Sequence, residues 1–175
     1  TPGNDMNLSL KKVEANRNFA NKIWNAFRLV QSWETSDAEQ PAASAKGIAW
    51  YQSRFNAALE LIEDHFSKYR ISDALMAIYK LIWDDFCSWL LECVKPAYGQ
   101  PIDQGTRDEV VALLEDNLKL LHPFVPFVSE AIWQDLADRS PEEALIVAEG
   151  AEPIMPNIPG SDQPFVISSW EFLKN

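Results

Sequence analysis

Apolar residues return every three or four positions through most of this chain, the spacing that gathers them on one face of an α-helix. Over residues 9–33 the stripe is Val13, Ala20, Ile23, Trp24, Phe27 and Val30, with Ser9 placed to cap the first turn. A polar connector at 34–44, rich in Thr, Ser and Asp and holding Pro41, interrupts it. A second stripe, Ile48, Tyr51, Phe55, Ala58, Leu59, Ile62 and Phe66, predicts a helix from about 46 to 67. The third runs through Leu75, Ile78, Tyr79, Ile82, Trp83, Phe86, Trp89, Leu90 and Cys93, after a candidate cap at Ser72 and before a stop at Pro96. A loop with Gly99, Pro101 and Gly105 leads to a fourth helix at about 106–121, on Val110, Leu113, Leu114, Leu118 and Leu121. Pro123 breaks the pattern, and a fifth helix at 124–137 passes Pro126, tolerated in a first turn.

Beyond Arg139 the periodicity fades into a short strand-like run at 145–147 and a tail punctuated by Pro153, Pro156, Pro159 and Pro164. The reading is all-α: a bundle of four to five long helices over residues 1–150, followed by an irregular tail at 151–175. With 47% hydrophobic and 11% aromatic residues in 175, the chain has material for one packed core. No run is long and apolar enough to cross a membrane, and residues 1–5 lack the pattern of a signal peptide, so a soluble, cytoplasmic protein without membrane contacts is expected.

The candidate chemistry is sparse. The six glycines are scattered singly, and neither a phosphate loop nor a nucleophile elbow is present. The acidic pairs Glu63/Asp64, Asp84/Asp85 and Glu142/Glu143 are sequence neighbours that cannot converge on one substrate from a helix. Cys87 and Cys93, six apart on one helix, cannot pair and read as core thiols. His65 and His122 have no partner at ligand spacing, so no metal, cofactor or catalytic residue is expected here. Trp24, Tyr79, Trp83 and Trp89 read as core because they follow the helical spacing. The net charge of −11 argues against a general nucleic-acid binder, without excluding a local pocket for a few bases.

One constellation stands apart. Arg17, Asn21, Asn25 and Arg28 fall within an arc of about 80° on the first helix, at about 100° per residue, flanked by Asn18 and Lys22 and opposite the apolar stripe. Asn is a poor helix former, so three in eight positions carry a propensity cost. Amides interleaved with cations suit the edges of unstacked RNA bases and nearby phosphates. The same amides suit bridges to neighbouring helices, and the residues alone leave both readings open, along with a protein-interaction bundle that has no RNA role.

Three blocks carry a resemblance. R-N-F-A-N-K-I-W-N-A at 17–26 resembles the opening of the anticodon-binding domain in class I aminoacyl-tRNA synthetases of the valine, isoleucine and leucine group. F-C-S-W-L-L-E-C-V-K-P at 86–96 is similar to that group's valine members, as is the N-K-I-W-N stretch, and H-P-F-V-P-F-V-S-E-A-I-W at 122–133 looks like a signature of the whole group. The likeness covers roughly residues 3–139. It implies a helix bundle that receives the anticodon stem-loop of valine tRNA, with isoleucine or leucine as the nearest alternatives. By this resemblance the contact surface is Arg17, Asn18, Asn21, Lys22 and Asn25, with Lys95 and Tyr98 at the end of the third helix. The group's HIGH and KMSKS signatures are absent here, so a monomeric fragment is expected, whose partner catalytic domain in the same polypeptide uses ATP and valine. His122 reads as a helix-end residue bonding a terminal carbonyl, and Phe124, Phe127 and Trp133 as packing area. Weak, salt-dependent RNA binding is expected of the fragment alone.

Overall fold

Each apolar stripe closes into a helix, because only a second apolar face can remove it from water. The computed structural model describes residues 9–137 and Arg139, so the expected strand-like run at 145–147, the boundary at 150 and the tail lie outside the described residues. Among those residues there are five helical rods: α1 (Leu10–Gln31), α2 (Ala42–Ser67), a long third rod, α5 (Gln104–Leu121) and α6 (Pro126–Leu136). The third rod begins as α3 (Ile71–Lys80), passes through a π-helical stretch (Leu81–Leu90) and closes in a short turn, α4 (Leu91–Val94). The expected all-α bundle is the observed one.

Contacts give the directions. Phe19 stacks on Tyr79 at 4.7 Å, and Lys22 reaches Ser88, so α1 runs parallel to the third rod. Tyr51 meets Phe86 edge-on at 5.4 Å, Trp50 lies beside Trp89, and Arg54 pairs with Asp85, so α2 runs antiparallel to it. Gly47 marks the crossing: a Cβ there would lie 3.6 Å from that of Cys93. The core is built from Val30, Tyr51, Ile78, Phe86, Leu118 and Ile132, all essentially inaccessible to water. A polar link inside it is satisfied. The Tyr51 hydroxyl donates to Asn117 Oδ1 at 2.8 Å, and Asn117 Nδ2 donates to the Leu113 carbonyl. Burial pushes the Tyr51 phenol far above its ordinary pKa, so it stays a donor.

Several local expectations need correction. α2 starts at Ala42, four residues early, and α3 starts at Ile71 with Arg70 at the cap position, so Ser72 is not a cap. Ser9 occupies the cap position of α1 but makes no side-chain bond there. The cap that does form is Asp103, whose Oδ1 accepts from the Thr106 amide at 2.7 Å and holds the start of α5. α6 begins at Pro126, not Phe124. Trp89 and Cys93 are exposed rather than core. The reason is the π stretch, where the Leu91 amide bonds the Phe86 carbonyl five residues back. A wider turn changes the phase of everything after it, so a stripe read at 3.6 residues per turn points Trp89 and Cys93 the wrong way. Val13, Leu59, Phe66 and Phe127 are likewise exposed, Phe127 almost fully. His122 stands at the end of α5, yet its Nδ1 shares a 2.9 Å bond with Ser129 Oγ rather than a carbonyl.

The connector at 34–44 is also more ordered than its composition suggests. Thr35 and Ser36 form a two-residue strand, β1, paired in parallel with Ile102 and Asp103, β2. The Ile102 amide donates to the Glu34 carbonyl at 2.8 Å. This small clamp ties the exit of α1 to the entry of α5, and so places the intervening loop at 95–101 beside the end of α1.

Candidate nucleic-acid interface

The polar ridge on α1 is real and unbridged. Arg17, Asn18, Asn21, Asn25 and Arg28 are all exposed, and among the described residues none of their side chains bonds to protein. An amide that bridged helices would show its partner, and these show none. Their placement follows from packing: Phe19, Ile23, Ala26, Phe27 and Val30 bury one side of α1, which leaves the opposite arc to solvent. Charge is segregated on the same helix. α1 carries Lys11, Lys12, Arg17, Lys22 and Arg28 against the single carboxylate of Glu14, in a chain whose net charge is −11. The acidity therefore resides elsewhere, and the local field along α1 favours an anion.

Lys22 differs from its neighbours. It is half-buried, with Nζ 4.1 Å from the centroid of the Trp83 ring and bonded to Ser88 Oγ at 2.9 Å. It therefore faces the third rod rather than the ridge.

Lys95 and Tyr98 arrive from the other side. α4 ends at Val94, the backbone turns extended at Lys95 ahead of Pro96, and residues 97–100 make a tight turn in which the Gln100 amide bonds the Ala97 carbonyl at 2.9 Å. Gly99 occupies the left-handed position of that turn, with φ of 72°, and a Cβ there would meet open space. Its neighbour Tyr98 projects a fully exposed ring. Lys95 Nζ is paired with Glu92 Oε2 at 2.5 Å, an exposed i,i+3 pair of small energetic weight.

Between these parts lies a cleft of about 580 Å³, lined by Ser32, Trp33 and Glu34 after α1 and by Lys95, Tyr98 and Gln100 opposite. It falls within the size range of small-ligand pockets, and its walls offer a carboxylate, an amide, a hydroxyl, an ammonium and a free aromatic face. Arg28, in the last turn of α1, precedes the lining residues Ser32 and Trp33 in sequence. The structure thus brings Lys95 and Tyr98 to one hollow, leaves Arg28 outside its lining, and leaves Arg17 and Asn18 a further three turns, or roughly 16 Å, back along the same helix. Ser32, Trp33, Glu34 and Gln100 escape the sequence reading. The stop at Pro96 and the turn at Gly99 are legible signals near Lys95, but nothing local says that this turn docks against residues 32–34. Among the described residues no group of three or more His, Cys, Asp or Glu side chains is placed to hold a metal ion, and no helix is long and apolar enough to cross a membrane.

Similarity to known proteins agrees with this geometry. The family model described as the anticodon-binding domain of tRNA ligase matches residues 49–160. Among curated relatives, a valine–tRNA ligase of Christiangramia forsetii is 57% identical over 148 residues, covering 84% of this chain and 17% of the relative. One of Phocaeicola vulgatus is 44% identical over 172 residues, covering 98% of this chain, α1 included, and 19% of the relative. One of Symbiobacterium thermophilum is 36% identical over 183 residues. The chain spans about a fifth of the length of these curated relatives. A helix bundle with a polar, cation-bearing ridge, matched over most of its length, belongs to the family of tRNA-ligase anticodon-binding domains.

Proposed function

We propose that this domain reads the anticodon stem-loop of valine tRNA on behalf of a valine–tRNA ligase. The observation that carries the reading is the row of unbonded Arg and Asn side chains on α1 that leads to the cleft at Lys95 and Tyr98. Valine is favoured over isoleucine or leucine because the relatives described above are valine–tRNA ligases. A bundle that serves only protein contacts has no use for amides with free donors and acceptors beside a cationic helix.

Loop bases that leave their stack can be read on their edges by Asn21 and Asn25, which both donate and accept, while Arg17 and Arg28 meet phosphate oxygens or purine edges. Asn18 flanks this row. Tyr98 offers a stacking face, and Lys95 can exchange Glu92 for a phosphate at little cost, because its present pair is solvent-exposed. The reading needs no cofactor, metal or catalytic residue in this domain. ATP and valine are handled by the catalytic domain of the same polypeptide, a monomeric cytoplasmic enzyme to which this bundle delivers the correct tRNA.

The test is binding of the 175-residue chain to a valine anticodon stem-loop at low salt, against the same loop with a changed anticodon. Asn21→Ala and Asn25→Ala are expected to weaken binding of the valine loop by about fivefold each. They should leave thermal stability equal or slightly higher, since Ala is the better helix former by roughly 0.6 kcal/mol. Equal affinity for both loops, unaffected by either substitution, would sink the proposal.

A further inference from the structure

Of the eight expected contact residues, only Lys22 is committed across a seam between helices. Its ammonium lies over the Trp83 ring at 4.1 Å and donates to Ser88 Oγ at 2.9 Å. The Ser88 hydroxyl in turn donates to the Trp83 backbone carbonyl at 2.8 Å. Ring, ammonium, hydroxyl and carbonyl thus close a circuit that begins and ends on Trp83. The π stretch makes this possible, because positions 83 and 88 are five apart, the repeat of its hydrogen bonds, so the side chain of one reaches the carbonyl of the other. Trp83 also stacks with Tyr79 at 5.6 Å and Phe19 at 6.2 Å, and Phe19 belongs to α1. Two residues of α1, three apart, are therefore held to one tryptophan, one by stacking and one by charge.

An ammonium seated this way has exchanged part of its water shell for a ring face and a hydroxyl, and moving it to a phosphate would forfeit both. We propose that Lys22 and Ser88 are positioning residues for RNA reading. Their clamp on Trp83 fixes the rotation of α1 against the π stretch, so that the Asn ridge and the cleft beyond Val94 keep a single relative placement. This rests on the anticodon reading above and changes one part of it, because Lys22 acts through Trp83 and not on the RNA.

The experiment has an arm without RNA. In the free chain, Lys22→Gln and Ser88→Ala are expected to speed amide hydrogen exchange over residues 81–100 by about fivefold, while amides around Tyr51 and Asn117 keep their protection. In the arm with the valine stem-loop, each variant loses about fivefold in affinity, and the double variant loses no more than either single one. The slope of log affinity against log salt stays that of the parent, and Lys22→Arg, which keeps a cation over the ring, restores binding. Unchanged exchange over 81–100 overturns the proposal. So does a slope shallower by about 0.7 in Lys22→Gln with Ser88→Ala silent, the signature of a direct phosphate contact. A parent chain that binds no loop defeats the anticodon reading instead, and the exchange arm then decides the positioning role alone.

Discussion

The two thiols show how far six positions on one rod can separate chemistry. Cys87 sits against the core, and burial pushes its thiol up to about 11, with only a small opposing pull from Lys22. Cys93 is exposed. Alkylation at pH 8 is therefore expected to label Cys93 promptly and Cys87 only as fast as the structure opens, which peptide mass mapping over time would read. The same burial gives a pH dependence of known sign. Above about pH 9 the unfolded thiol ionises while the native one keeps its proton, so the Cys87 contribution to stability falls from there and levels off beyond the native value near 11, while the buried Tyr51 phenol extends the decline above about pH 10. Denaturation midpoints across that window should show this decline in the parent and lose its Cys87 component in Cys87→Ala. Equal labelling rates for both thiols would contradict the burial described for Cys87. From sequence both cysteines look alike, because their environment depends on the phase of the helix and not on their own chemistry.

The elements were legible wherever the 3.6-residue repeat was left alone. α1, α2 and α5 lie where their stripes predict, since Ile23, Phe27, Ile48, Ile62, Leu114 and Leu118 bury the faces that the spacing assigns them. The π stretch and the two-residue β pairing were not legible, because neither has a repeat long enough to register in a single chain. Two left-handed positions complete the joints between elements, and they are opposite in character. After α2, Tyr69 adopts φ of 56°, the Arg70 amide bonds the His65 carbonyl and the Tyr69 amide bonds that of Phe66, the geometry of a helix-ending Schellman motif that normally uses glycine. Before β2, Gly99 supplies the same hand without strain. Tyr69→Gly should thus raise stability by about 1 kcal/mol, and Gly99→Ala should lower it by a similar amount and loosen the cleft. Thermal unfolding of the two variants, measured against the parent, gives both signs. A loss in the first or a gain in the second would refute the account of these turns.

At the scale of the whole molecule, a chain of net charge −11 contains one helix that is locally cationic. Under the proposed reading, the chain's net charge disfavours polyanions in general while the cations of α1 favour one that reaches them. With Arg17, Arg28 and Lys95 as the phosphate partners, the affinity for a valine stem-loop should drop by about 20-fold between 50 and 200 mM salt, as anisotropy titrations would show. Flat dependence on salt would remove these cations from the interface. The candidate site was half legible for a related reason: the ridge is a property of one helix, whereas the cleft is a property of two distant segments. Sixty-six residues separate Thr35 from its partner Ile102, with α2 and the whole third rod between them. Loop closure over that length is costly and returns only a few backbone bonds. The hollow beside Tyr98 is accordingly a late arrival in folding and an early departure in fluctuation, a feature the chain holds only as long as all its other parts agree.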